Sequence, residues 1–196
     1  DTNSQGKATE DSATFTTRLS NAAIRNLWYR DRGRAYYDFQ GSNTRFFVFD
    51  TGTKAESMKD YQWEQCQWFA KELMENTNEH IVIAQHIVFY SSANQNVQPI
   101  ADKILSIAEA FNNRTTISVN GIEYSFADAE GRVEFILAGH NHADGIYTLH
   151  GIPVILTINV RSGANAPSFD LCLVDYDNRE FKMVRIGDGD DRTVAF

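Results

Sequence analysis

The sequence predicts a layered α/β fold, a mixed β-sheet with flanking helices. Three observations lead there. Between residues 35 and 138, apolar runs of strand length alternate with two segments whose apolar residues recur at helical spacing. Beyond residue 145 strand-like runs follow one another with no helical segment between them. The composition is that of an ordinary globular chain, with 196 residues, 42% hydrophobic, 22% charged and 12% aromatic. That is enough to bury a core without disulfide or metal staples.

The elements follow in order. Residues 1–34 form a polar N-terminal segment with few apolar anchors, apart from a short amphipathic piece at Ala22 to Tyr29. Ala35 to Phe39 and Arg45 to Phe49 are aromatic and β-branched, and read as strands. Asp60 to Met74 places Trp63, Cys66, Gln67, Phe69, Ala70, Leu73 and Met74 on one helical face. Ile81 to Ala84 is wholly apolar, as a strand buried on both faces must be. After His86 and a polar stretch, Ser91 to Gln98, Pro99 stands where a helix starts, and Ile100 to Phe111 continues it. Asn120-Gly121 between two short runs predicts a hairpin. Val133 to Ala138 is a buried strand that stops at Gly139. Ile146 to Leu149, Val154 to Ile158, Phe169 to Val174 and Phe181 to Ile186 read as further strands. Residues 188–196 read as an acidic, solvated tail; Asp188-Gly189-Asp190-Asp191 lacks the distal Glu of a calcium loop.

Several functions are disfavoured at once. A net charge of -8 repels polyanions, so nonspecific nucleic-acid binding is not expected. No apolar run reaches the roughly 18–20 residues of a membrane span, so no membrane partner is expected. Cys66 and Cys172, 106 positions apart, both sit in apolar contexts; a disulfide is allowed, but two buried free thiols are the expected reading.

The strongest chemical signal is Gly139-His140-Asn141-His142 at the end of a buried strand. Side chains two apart in an extended segment point the same way, so His140 and His142 are expected to face one site. Gly139 is expected to let the chain turn sharply there. His86 also follows a short buried strand. Strand carboxyl ends are where α/β folds bind ligands, and imidazole suits Zn, Fe and Mn. A bare His-x-His is short, and two solvated loop histidines are its ordinary alternative. His80 and His150 lack this setting and are expected to be structural.

With those residues in view, the chain resembles the C-terminal half of the calcineurin-like metallophosphoesterases. The matching elements are Tyr36-Tyr37-Asp38-Phe39, Arg45 to Thr51, Gln65-Cys66-Gln67-Trp68-Phe69 ahead of Leu73, and Ile81 to His86. They continue with Phe135 to His142 and the glycine-led run Gly151-Ile152-Pro153-Val154. Order and spacing fit over residues 35–160. The Gly-His-x-His element is the specific one. One mild departure is Val88, where the family usually has proline. The resemblance implies an α/β/β/α sandwich and two divalent or trivalent metal ions (Mn, Fe or Zn) that activate water against a phosphate mono- or diester. It implies that His86 and His140 share one ion and that His142 reaches the other. Asn141 and Tyr90 flank these ligands and are candidate substrate contacts.

The family's upstream ligands are absent from this sequence. There is no Asp-x-His, no bridging Gly-Asp-x-x-Asp ahead of His86, and no Gly-Asn-His. The expectation is therefore that residue 1 is a truncation point and that a missing N-terminal half carries the remaining ligands and the general acid. On that view no catalytic residue lies in this chain, and it has little or no activity alone. Its uncovered sheet surface would favour self-association as a homo-oligomer. Two rivals stand beside this reading. One is a non-catalytic binding module on the same fold. The other is a dimeric aspartic protease using Asp50-Thr51-Gly52, in which the three histidines would have no role.

Overall fold

The computed structural model describes residues 36–51, 57–91, 96–158 and 168–196. The polar N-terminal segment and the amphipathic piece at 22–29 lie outside these residues. The described chain is α/β, with two helices and a mixed sheet of six strands in the order β1-β2-β3-β8-β10-β9. These are β1 (Tyr37–Gln40), β2 (Thr44–Phe49), β3 (His80–Gln85), β8 (Arg132–Ala138), β9 (Gly145–Leu149) and β10 (Ile152–Leu156). The inner four run parallel, and the edges β1 and β9 are antiparallel to their neighbours.

One face of this sheet is covered by α1 (Asp60–Met74) and α2 (Pro99–Asn112). The covering core contains Phe47, Phe49, Ile81, Ile83, Val133 and Ile136 from the sheet. From the helices come Cys66, Phe69, Leu73, Ile100, Ile104, Leu105 and Phe111. The bounds of α1 match the sequence reading, because its apolar positions hold the helical period through all 15 residues. Proline opens α2, where its missing N–H costs no intrahelical bond. The Asn120-Gly121 hairpin forms between β6 (Thr116–Val119) and β7 (Ile122–Ser125). Both turn residues have positive φ, 51° and 81°, as a type I′ turn requires.

The opposite face is covered by a second sheet, β11 (Phe169–Asp175), β12 (Glu180–Ile186) and β13 (Arg192–Ala195), antiparallel throughout. Its Phe181, Met183 and Val194 pack on Val82, Phe135 and Ile155. Three layers result: helices, mixed sheet, antiparallel sheet.

Three expectations need correction. Residues 188–196 are not a solvated tail, because beyond the exposed turn at 187–191 the chain forms β13, whose Val194 belongs to the core. The acidic turn conceals a hairpin whose return strand, four residues long, is too short to show alternation. Cys66 is buried but Cys172 is exposed, since β11 is an edge strand. The polar stretch 91–98 also carries part of a small ribbon, β4 (Phe89–Ser91) with β5 (Asn96–Val97).

His80 and His150 take structural roles. His80 Nδ1 lies 2.8 Å from Glu134 Oε1, and its ring stacks on Tyr176 at 3.6 Å. Glu134 is the extra residue of a bulge in β8, where Ile81 faces Val133 but Val82 already faces Phe135. His150, in the β9–β10 turn, reaches Glu109 at 2.7 Å and Asp102 at 3.3 Å, both on α2. Its hydrogen bond to Glu109 chiefly raises its pKa above the ordinary imidazole value, with Asp102 adding to the effect. The protonated form therefore binds more tightly in the folded state. This stabilisation is complete below the unfolded imidazole pKa and fades as pH rises through the raised value. His150→Gln is expected to lower the melting temperature at pH 5.5 and to match the parent at pH 9, as read by thermal denaturation at both pH values.

Candidate metal centre

Strands β3 and β8 are hydrogen-bonded neighbours in parallel register, with Ala84 opposite Leu137. Residues just past their carboxyl ends must then lie side by side, although 54 positions apart in sequence. Gly139 N–H donates to the carbonyl of His86 at 3.2 Å. The His86 ring lies over Gly139, so that a Cβ there would meet Nδ1 at 3.6 Å. Beyond it, His140 Nδ1 stands 3.4 Å from His86 Nε2, with the rings edge to face at 5.2 Å.

The loop is not the extended segment expected from the sequence. Asn141 N–H turns back onto the carbonyl of Gly139 at 2.9 Å, and His140 and His142 both have positive φ, 71° and 53°. The unusual conformations thus fall on the histidines and not on the glycine. Tertiary contacts override the alternation, and two side chains in the left-handed region are held against an intrinsic cost of about 1–2 kcal/mol each.

The structure therefore brings His86 and His140 together. His142 is exposed, and Asn141 is half-buried beside it. Among the described residues, no three His, Cys, Asp or Glu side chains gather into a group able to hold a metal ion. Tyr90 lies on β4, with its side chain outside the description. Burial lowers the His86 pKa below its ordinary value, and the charge of His142 lowers it further.

Other residues fix this corner in roles that the sequence reading did not assign them. Thr51, fully buried at the end of β2, accepts the Ile87 N–H on its hydroxyl at 2.8 Å. Gln65 on α1 clasps the backbone of Asp50, accepting its N–H at 2.9 Å and donating to its carbonyl at 3.1 Å. Asp50-Thr51 thus ties β2 to the His86 segment. Two positions after His142, Asp144 accepts from Arg185 at 2.7 Å and from Ile158 N–H at 3.0 Å. Burial opposes ionisation of Asp144, yet the Arg185 hydrogen bond and the backbone donor hold its carboxyl below the usual range. A carboxylate two residues past the histidine pair was a readable signal. Its partner, 41 positions away, was not.

Compared with known proteins, the chain matches no family model and no curated protein.

A glycine at position 142 would relieve one left-handed residue without disturbing the core. His142→Gly is expected to raise stability by on the order of 1 kcal/mol, or about 2–4 °C in melting temperature. Calorimetry on the metal-free protein checks it; an unchanged or lowered melting temperature would show that the loop is not strained there.

Proposed function

We propose that this chain carries the C-terminal part of a dinuclear metallophosphoesterase, with His86 and His140 on one ion and His142 on its neighbour. Ligands from another stretch of protein complete the site, and the reaction is hydrolysis of a phosphate mono- or diester. One observation carries the reading. Two imidazole nitrogens bound tetrahedrally to one ion at about 2.0–2.1 Å stand roughly 3.3 Å apart. His86 Nε2 and His140 Nδ1 are 3.4 Å apart.

Further support comes from the lowered pKa of His86, which partial burial chiefly causes, and from the site's place beyond the carboxyl ends of parallel strands. The helix, sheet and sheet layers also correspond to three of the four layers of an α/β/β/α sandwich. Bound cations would supply Lewis acidity toward phosphoryl oxygens and lower the pKa of a water. For its part, the chain would present two adjacent imidazoles, with the Asn141 amide beside them as a substrate contact and Tyr90 as a second candidate by its place in the sequence.

The gathered set stops at two imidazoles, and this favours one second reading, a non-catalytic module on the same fold. It also means that the chain alone should bind metal weakly, because a dinuclear site needs about four protein ligands per ion and carboxylates to offset cation repulsion. Titration with Zn²⁺, followed through histidine side-chain NMR signals, distinguishes the two. The His86 and His140 signals are expected to shift together with modest affinity, and His140→Ala to abolish the shift at His86. Signals that ignore Zn²⁺ would support the non-catalytic module. Turnover of bis-p-nitrophenyl phosphate by this chain is expected to be near zero. Turnover at the rate of an ordinary hydrolase would overturn the claim that further ligands lie elsewhere.

A further inference from the structure

The second sheet reaches the histidine loop through a lattice of two arginines and two aspartates, buried except at Asp144, whose side chain is 28% exposed. Arg185 on β12 has a side chain only 1% exposed. It donates from Nε to Asp170 Oδ1 at 2.7 Å, from Nη2 to Asp144 Oδ1 at 2.7 Å, and from Nη1 to the carbonyl of Asp188 at 2.8 Å. Arg192 on β13 donates from Nη2 to Asp170 Oδ2 at 2.7 Å and from Nη1 to the carbonyl of Leu156 at 2.8 Å. The same Nη2 stands 3.2 Å from Asp144 Oδ1. Two cations and two anions leave the cluster neutral, the condition under which buried charges persist.

Its members come from β10, β11, β12, β13 and the loop between β8 and β9, so the cluster spans both sheets. Asp144 alone belongs to the histidine loop. The other end of that loop is fixed by Gly139 N–H on the His86 carbonyl. Between these two anchors lie His140, Asn141, His142 and Ala143, the stretch that holds both left-handed histidines. A four-residue span with free ends would relax out of that conformation. A span clamped at both ends has nowhere to relax to.

We infer that Asp144 and Arg185 are positioning residues for the His140–His142 loop, and that through them the second sheet serves as the rigid base on which the proposed metal centre is set. The metal part of this inference rests on the function proposed above; the clamp itself does not. Carboxylates and donors that orient ligands from behind typically change metal affinity by about 10–100-fold when removed.

The test compares Asp144→Ala with a control of matched thermal cost, Val194→Ala, which loosens the second sheet's core without touching the loop. The first readout needs no metal: ¹⁵N relaxation of the amides of residues 140–143. Asp144→Ala is expected to mobilise these amides, Val194→Ala to leave them rigid, and Asp144→Asn, which keeps the acceptor oxygen, to restore most of the order. The second readout is Zn²⁺ affinity, expected to fall about tenfold in Asp144→Ala and to hold in Val194→Ala. Equal loop mobility in Asp144→Ala and the control would overturn the clamp. Loss of loop order in Asp144→Ala from a parent that ignores Zn²⁺ would uphold the clamp and sink the metal reading instead.

Discussion

The pairing of β3 with β8 is the constraint on which the rest depends. It joins two short apolar strands, each buried on both faces, in parallel register at the centre of the six-stranded sheet. Parallel register aligns carboxyl ends, and each of these strands is followed by histidine within two residues. The approach of His86 to His140 is therefore a consequence of sheet topology and needs no attraction between the rings. Two imidazoles 3.4 Å apart gain little from each other beyond one hydrogen bond. What the sheet imposes, a cation would exploit.

The second sheet is attached by modest means. Among the described residues, six buried apolar side chains form the core between the sheets, against twenty-six on the helix side. Polar joints supplement it toward the two ends of the central strands. Near the amino ends of β2 and β3, Tyr176 stacks on His80 and bonds Thr44 at 2.6 Å, while Arg179 and His80 converge on Glu134. Near the carboxyl end of β10, Arg185 and Arg192 tie Asp144 and Asp170 to Leu156 and Ile158. Apolar contact is non-directional and tolerates sliding; buried charge pairs do not, because a displaced partner leaves an unpaired ion in a poor solvent. The polar joints therefore set the register in which the second sheet meets the first.

Periodicity made most of this fold legible. The helix at 60–74, the apolar strands around 81 and 133 and the Asn120-Gly121 turn are each decided within a few residues of sequence, and the structure places them as expected. What escaped depends on partners far away. The β13 strand is four residues behind an acidic turn, and it becomes a strand because β12 offers an edge. Cys172 is apolar in context but ends exposed because nothing described pairs with the free side of β11. At the candidate site the histidine pair was legible from its strand-end position. The left-handed turn that carries it was not, because Arg185 and Ile158 hold that turn from elsewhere in the chain.

The outer face of the second sheet follows the same logic. Cross-strand partners share a face, so Phe169 with Ile186, Leu171 with Val184, and Leu173 with Lys182 all point away from the core. Phe169, Leu171, Leu173 and Ile186 are each 45–57% exposed. An apolar stripe of this kind on an antiparallel sheet marks a face built for cover, since a solvated face would alternate to polar residues. The inward face of the same strands meets that rule, placing Phe181 and Met183 in the core and Asp170 in the arginine lattice. So β11 and β12 carry apolar residues on both sides, the pattern of a sheet interior to a sandwich. The proposed reading asks for the same thing from the chemistry, because two gathered imidazoles are too few ligands for a dinuclear centre. On that proposal, the uncovered apolar face and the short ligand set would have one common cause, a further stretch of protein that packs on the sheet and completes the site.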